Sequence, residues 1–341
     1  MSLLSDDLAA GRPRAGAGET ILSVNDLTVE YVLERGNIRA VEHVSFDVGT
    51  AEFLGIVGES GCGKSSLLFA IAQLLAPPAS VSSGSVIFKG RNMVGMTDRQ
   101  LAATRWLDMS VVMQSAMNAL NPVTSIGAQY RDAMRAHGVR DKRVIAERSA
   151  EVLSMVGIDP QHLRSYPHQL SGGMRQRAMI AMALLFTPEL VIMDEPTSAL
   201  DVVAQRSLMI QIKELQQQLG FAVIFVTHDM SLVSHFSDRL MVMYAGQIAE
   251  LGSTRQVFDS PLHPYSVGLL DAFPSIRGPK VPLTGIPGSP PNLAHPPDGC
   301  RFAQRCPKVM DRCRSAEIPM FAVDGVQVRC LLHDGLEASG D

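Results

Sequence analysis

A chain of 341 residues, 46% of them hydrophobic and 19% charged, has enough interior for one large domain or two and exceeds a single minimal module. A net charge of −4 and a pI near 6.1, with no basic stripe, argue against nucleic acid as the principal ligand. No run reaches the roughly 20 apolar residues that cross a bilayer, since the best one, Ala178 to Met193, is broken by Pro188 and Glu189; a membrane role therefore requires partner subunits.

The first twenty residues, rich in Gly, Ala, Asp and Arg, lack the apolar core of a secretory signal and read as a disordered lead. From 22 to 57 the pattern is that of strands. Leu22 to Tyr31 and Val41 to Val48 alternate across a turn near Gly36-Asn37, as half-buried antiparallel strands do. Phe53 to Val57 is a continuous apolar run, expected of a strand buried on both faces, and a helix is predicted over Ser66 to Leu75. Between about 116 and 168 the character turns helical and implies an inserted helical subdomain, with Ala146 to Val156 amphipathic and Asp159-Pro160 ending that helix. Leu190 to Met193 and Ala222 to Val226 are apolar runs that end in polar residues, where open α/β sheets place their ligands. Beyond Gly252 prolines crowd the sequence, and the tail is a poor candidate for regular sheet. The predicted organisation is a lead over 1–20, one large domain over 21–255 without internal repeat, and an extension over 256–341.

Between the first buried strand and its helix stands Gly58-Glu-Ser-Gly-Cys-Gly-Lys64-Ser65. Glycines at 58, 61 and 63 let backbone N–H groups converge on phosphate oxygens, Lys64 adds a charge for the β- and γ-phosphates, and Ser65 ligates Mg²⁺. Ser60 and Ser66 extend the expected nucleotide contacts, and Cys62 reads as a small loop residue rather than a redox switch. Asp194, at the end of an apolar strand, is placed to hold Mg²⁺ through water, and Glu195 to orient and deprotonate the attacking water. Gln114, after Ser110-Val-Val-Met113, is expected to reach Mg²⁺ and the water, and His228 to contact the γ-phosphate or that water. Tyr31 is a candidate for stacking on adenine. Leu170-Ser-Gly-Gly-Met-Arg-Gln-Arg177 reads as a loop opening a helix, whose free N–H groups attract a second phosphate.

With these residues in place the chain resembles the ATP-binding cassette (ABC) ATPases, whose motifs appear in the family's order over about 21 to 252. They are the Walker A loop at 58–65, the Gln114 loop, the signature at 170–174, the Walker B strand at 190–195, Ser198-Ala-Leu-Asp201 and the switch His228. The resemblance implies an α/β fold: a P-loop, RecA-like core with an antiparallel β subdomain, a helical subdomain and a C-terminal cysteine-containing extension. It also implies two cassettes pairing head to tail, so that Ser171, Gly172, Gly173 and Gln176 act on ATP held by the partner, with Asp201 at the same interface.

The resemblance narrows at Tyr166 to Arg177, at His263-Pro-Tyr-Ser-Val-Gly-Leu-Leu270, at Pro287 to Leu293 and at Gly299 to Pro307, which look like the oligopeptide and dipeptide importer subfamily. What it implies is an ATPase at the cytoplasmic face of the membrane, working with ATP and Mg²⁺. Its expected partners are a second ATPase subunit, by resemblance a paralogue, two permeases and an extracytoplasmic peptide-binding protein. Importers of nickel, glutathione or an oligosaccharide share this plan, and a soluble ABC ATPase acting on DNA or the ribosome is the alternative from another class. One departure is Ser115-Ala116, where the subfamily carries an acidic residue and proline.

Cys300, Cys306, Cys313 and Cys330 cluster in the extension. In a cytosolic ATPase this favours metal over disulfides, but the close pairs of a structural zinc site are absent. Four-thiolate iron–sulfur ligation accepts wider spacing, and the subfamily is known for a [4Fe–4S] cluster. Zinc, and unligated or disulfide-paired thiols, stay open as readings of the spacing.

Overall fold

The computed structural model describes residues 18–34, 36–114, 119–198, 200–272, 285–315 and 317–335. Most of the expected N-terminal lead, Ser115-Ala116 and Ala199 lie outside these residues. The N-terminal alternation yields β1 (Thr20–Tyr31) and β2 (Ile38–Gly49), and the apolar run yields β3 (Phe53–Val57), buried throughout. The chain then turns into α1 (Lys64–Ile71), which stops short of the predicted Leu75 because Gln73 takes a left-handed φ of 54°. β4 (Ala79–Phe88), β5 (Arg91–Asn92) and α2 (Asp98–Ala102), opened by a Thr97/Gln100 capping box, lead to β6 (Met109–Val112).

The helical segment contains α3 (Ile126–Ala136) and α4 (Lys142–Met155), capped by the side chains of Ser125 and Asp141. The terminator of α4 is Gly157, at φ +70°, rather than the predicted Asp159-Pro160. Pro160 instead opens a 3₁₀ turn over Pro160–Arg164, with Asp159 accepting from Gln161 N–H. After a second short turn, Pro167–Gln169, come α5 (Gly172–Ala183), β7 (Leu190–Asp194), α6 (Val202–Leu219) and β8 (Ala222–Val226). The rest comprises α7 (Met230–Phe236), β9 (Arg239–Tyr244), β10 (Gln247–Ser253), α8 (Thr254–Asp259), α9 (Pro264–Asp271), β11 (Phe321–Val323) and β12 (Val326–Val328).

The described residues divide into two compact units, one drawn from 18–21, 48–52 and 95–225, the other from 22–47, 53–94 and 226–335. In the first unit β6 pairs in parallel with β7, from Met109 opposite Leu190 to Val112 opposite Met193, and β7 neighbours β8. All five residues of β7 and of β8 are buried, as in strands covered on both faces. Two polar side chains fasten the helical segment. Tyr130 is fully buried and its hydroxyl donates to Ala178 O on α5 at 2.6 Å. Arg148, also fully buried, donates to Leu184 O at 2.8 Å, Leu185 O at 2.9 Å, Thr187 Oγ1 at 2.9 Å and Glu151 Oε2 at 2.7 Å. A cation thus satisfies the carbonyls just beyond the end of α5, where the helix dipole is negative.

The second unit holds an antiparallel sheet in the order β2-β1-β4-β5, with β1 and β4 paired from Leu22 opposite Phe88 to Tyr31 opposite Ala79. It also holds strands in the order β11-β12-β10-β9-β3, of which β3 and β9 run parallel. The sheet-poor tail expected beyond Gly252 is corrected here: β11 and β12 lie within it, and β12 extends the sheet at β10, with Val328 opposite Glu250 and Gln327 opposite Leu251. Phe321-Ala-Val and Val326-Gln-Val alternate around Asp324-Gly325, both at positive φ (48° and 80°), the geometry of a tight two-residue hairpin turn.

Candidate functional site

In the second unit β3 delivers the chain into the 58–65 loop. Gly58, Gly61 and Gly63 have φ of +153°, +77° and +101°. A Cβ on Gly58 would lie 2.2 Å from Met243 O, and one on Gly63 2.1 Å from Ala40 O. Two of the glycines are therefore required by neighbouring backbone as well as by a ligand. Lys64 is buried at 8% exposure and its Nζ donates to Gly58 O at 2.8 Å and Glu59 O at 3.0 Å. The ammonium sits on neutral carbonyls inside the loop, where anionic oxygens are stronger acceptors.

Helix α1 has no acidic residue in its first turn, so no carboxylate of its own offsets its N-terminal dipole. Ser60 and Gly61 are exposed and Ser65 and Ser66 half-buried. The Tyr31 hydroxyl lies 3.1 Å from Ser66 Oγ, so the structure brings the expected base-stacking ring to this loop. Cys62 is buried and burial pushes its thiol up, against the nearby Lys64, which fits a packing role. His228 is exposed in the turn between β8 and α7.

In the first unit β7 ends at Asp194, 3% exposed, followed by Glu195 at φ 45°. A left-handed φ outside glycine is a strained geometry found at functional positions. Gln114 Nε2 donates to Glu195 Oε2 at 2.7 Å, so two predicted catalytic side chains, 81 residues apart, meet. The uncharged amide of Gln114 thus holds one carboxylate oxygen of Glu195. Ser171 caps α5, its hydroxyl accepting from Met174 N–H at 3.3 Å, and is exposed. Gly172 and Gly173 are half-buried, but Gln176 is only 3% exposed. Its side chain is packed inward in the first unit, whereas Ser171, Gly172 and Gly173 keep exposed surface. Asp201 caps α6, accepting from Ala204 N–H at 2.9 Å, a role the sequence reading did not assign it.

A sequence profile described as ABC transporter matches residues 41–198, and one described as oligopeptide/dipeptide transporter, C-terminal region, matches 249–313. The dipeptide transport ATP-binding protein DppD of Bacillus subtilis is 42% identical over 93% of this chain and 96% of its own length. The oligopeptide transport ATP-binding protein OppD of Salmonella typhimurium is 41% identical over 93% of each. This chain belongs to the ABC transporter ATP-binding proteins. Among solved structures, the dimeric ATP-binding cassette MJ0796 in a post-hydrolysis state bound to ADP and Pi has a TM-score of 0.62 at 27% identity, covering 69% of this chain and 99% of the other. CbiO1 from Clostridium perfringens, part of a CbiONQ complex, has a TM-score of 0.60 at 28% identity over 71% and 92%. ATP and Mg²⁺ are thus the nucleotide and ion of this ABC ATPase, and Ser65 and Asp194, each in its own unit, carry hard oxygens of the kind Mg²⁺ takes. No helix among the described residues is long and apolar enough to cross a membrane.

The ABC protein's extension adds contacts that sequence reading missed. Tyr265 on α9 accepts the Glu59 N–H at 2.9 Å, and Arg305 forks onto the Glu59 carboxylate at 2.7 and 2.9 Å. Arg301 bonds Glu42 and Ala245 O. The available signal was a carboxylate inside an anion-binding loop, which calls for a cation nearby. The four tail cysteines are free thiols that line one small cavity, with Cys313 in a cluster with Ala303, Ile318 and Leu331. Burial pushes the Cys300 thiol up to about 11 and those of Cys306 and Cys330 upward. Among the described residues no group of three or more His, Cys, Asp or Glu stands in a metal-holding arrangement.

Proposed function

We propose that this chain is the ATP-hydrolysing subunit of a bacterial importer for di- and oligopeptides. The observation that carries the reading is full-length similarity, over 92% to 93% of this chain, to transport ATP-binding proteins named for dipeptides and oligopeptides, extending through the C-terminal region particular to that branch. The domain reading that goes with it is a nucleotide-binding domain over 21–255, with its helical subdomain near 116–168, and an extension over 256–341.

Within it, the 58–65 loop and Lys64 bind the phosphates, Ser65, Gln114 and Asp194 serve Mg²⁺, and Tyr31 stacks on the base. Mg²⁺ neutralises charge that develops on the phosphates. Glu195 takes the proton of the attacking water, Gln114 holds the carboxylate in place through the 2.7 Å hydrogen bond, and His228 senses the γ-phosphate. Ser171 and Gly173 act on ATP held by a second cassette, a paralogue, with Asp201 at that interface. Closure of the pair is passed through the helical subdomain to two permeases, and a binding protein outside the cell delivers the peptide. The chain then sits peripherally on the cytoplasmic face of the membrane.

Cys300, Cys306, Cys313 and Cys330 would hold a [4Fe–4S] cluster in this reading, which rests on the subfamily resemblance; the four line one cavity without standing in a metal-holding arrangement. The cluster would tie together a proline-rich segment much as a structural metal does. Anaerobically purified protein is expected to contain iron and absorb at about 400 nm; absence of both removes the cluster.

For the hydrolytic role, Glu195→Gln in the full chain should bind ATP like wild type and lose at least about 100-fold in turnover, the scale of a lost general base. Undiminished hydrolysis would take Glu195 out of the mechanism.

A further inference from the structure

The carboxylate of Glu59 is the wrong charge to bind phosphate in its own loop. A loop that receives a polyphosphate concentrates N–H donors and the Lys64 ammonium, and a carboxylate beside them repels the ligand. The extension supplies the counter-charge. Arg305 Nη1 lies 2.7 Å from Glu59 Oε2 and Nη2 2.9 Å from Oε1, the two-pronged geometry that only a guanidinium makes. The guanidinium is itself fixed. Its Nε donates to Pro287 O at 2.8 Å, Nη2 to Ile286 O at 3.2 Å and Nη1 to the Tyr244 hydroxyl at 3.1 Å. It also lies 5.7 Å and 5.9 Å from the ring centres of Tyr244 and Phe302. The Arg305 side chain is only 5% exposed, so solvent screens the pair weakly.

The backbone of Glu59 is held as well. Its N–H donates to the Tyr265 hydroxyl at 2.9 Å, and its C=O accepts from Lys64 Nζ at 3.0 Å. Carboxylate, N–H and C=O of this one residue therefore meet Arg305, Tyr265 and the phosphate-binding lysine.

We infer that Arg305 is a positioning residue for ATP: it neutralises Glu59 and, with Tyr265, fixes the peptide against which Lys64 is aimed. The C-terminal extension is then a working part of the phosphate-binding loop, although neither side chain touches nucleotide. This rests on the reading of 58–65 as the phosphate-binding loop.

The test is calorimetric titration of MgATP into the full-length chain as wild type, Arg305→Ala, Arg305→Lys, Glu59→Gln, the Glu59→Gln/Arg305→Ala double variant and Lys64→Ala. Arg305→Ala is expected to weaken ATP binding about tenfold, and Arg305→Lys less, because an ammonium keeps the charge and loses the fork. Glu59→Gln should bind ATP at least as tightly as wild type. The double variant should return to within about threefold of wild type, since no carboxylate is left to neutralise. A double variant as weak as Arg305→Ala, or an Arg305→Ala chain within about twofold of wild type, overturns the inference. Should Arg305→Ala not fold, Glu59→Gln decides alone: tenfold weaker binding overturns it, and equal or tighter binding supports it. Lys64→Ala separates the two claims. ATP binding retained by Lys64→Ala defeats the phosphate-loop reading, whereas binding lost there with Arg305 variants unchanged defeats only the role of Arg305.

Discussion

Arg148 and Arg305 are both buried arginines, one in each unit, and they serve their surroundings differently. Arg148 spreads its donors over two backbone carbonyls, a threonine hydroxyl and the half-buried Glu151, at the end of α5. Arg305 concentrates two donors on one carboxylate that lies inside the phosphate-binding loop. The first closes a helix end, so its loss is felt as stability. The second balances a charge beside the ligand, so its loss is felt as affinity. Burial and residue type are the same in both places; the acceptor decides the role.

The largest expected effect comes from Arg148→Ala, which removes a charged donor from Leu184 O, Leu185 O and Thr187 Oγ1 and opens a cavity. Urea denaturation should show a loss of about 3 kcal/mol, while the fraction that remains folded binds ATP normally. Weakened ATP binding in that folded fraction would break the contrast. Next in size is Tyr130→Phe, which removes the donor to Ala178 O within the same unit; about 1.5 kcal/mol of stability should be lost, again with ATP affinity intact. Arg305→Ala should do the reverse, with about a tenfold rise in the dissociation constant for MgATP, equivalent to about 1.4 kcal/mol, and a smaller shift in the urea midpoint. A stability loss as large as that of Arg148→Ala would make the two arginines alike. The smallest effect is expected of Tyr265→Phe, which strands the Glu59 N–H beside the loop; about threefold weaker ATP binding, measured by the same titration, sharpens the claim that the extension steadies the Glu59 peptide.

What was readable in the sequence was whatever local pattern determines. The alternation of β1 and β2, the apolar runs of β3, β7 and β8, and the motifs at their ends all carry their meaning within a few residues. Gln114 and Glu195 were legible as separate candidates, but their hydrogen bond was not, because it joins positions 81 apart. Arg148 sits in an amphipathic helix where a long cation reads as solvent-facing, and only packing against the end of α5 buries it. Arg305 finds Glu59 across 246 residues, a pairing no spacing rule contains. Gln176 belongs to a signature motif, yet its position on α5 turns it inward. Two errors were of weighting. Gly157 ended α4 before the more conspicuous Asp159-Pro160, and the Asp324-Gly325 turn between alternating residues was outweighed by the prolines crowded between 261 and 297.

Uptake of a labelled peptide into vesicles that carry this subunit with its permeases and binding protein tests the proposed activity most directly. ATP supplied on the face that bears this subunit should drive accumulation with the wild-type chain, and none should occur with Glu195→Gln although that chain still binds ATP. Accumulation at the wild-type rate with Glu195→Gln, or ATP turnover by the wild-type complex without any peptide movement, would contradict the account.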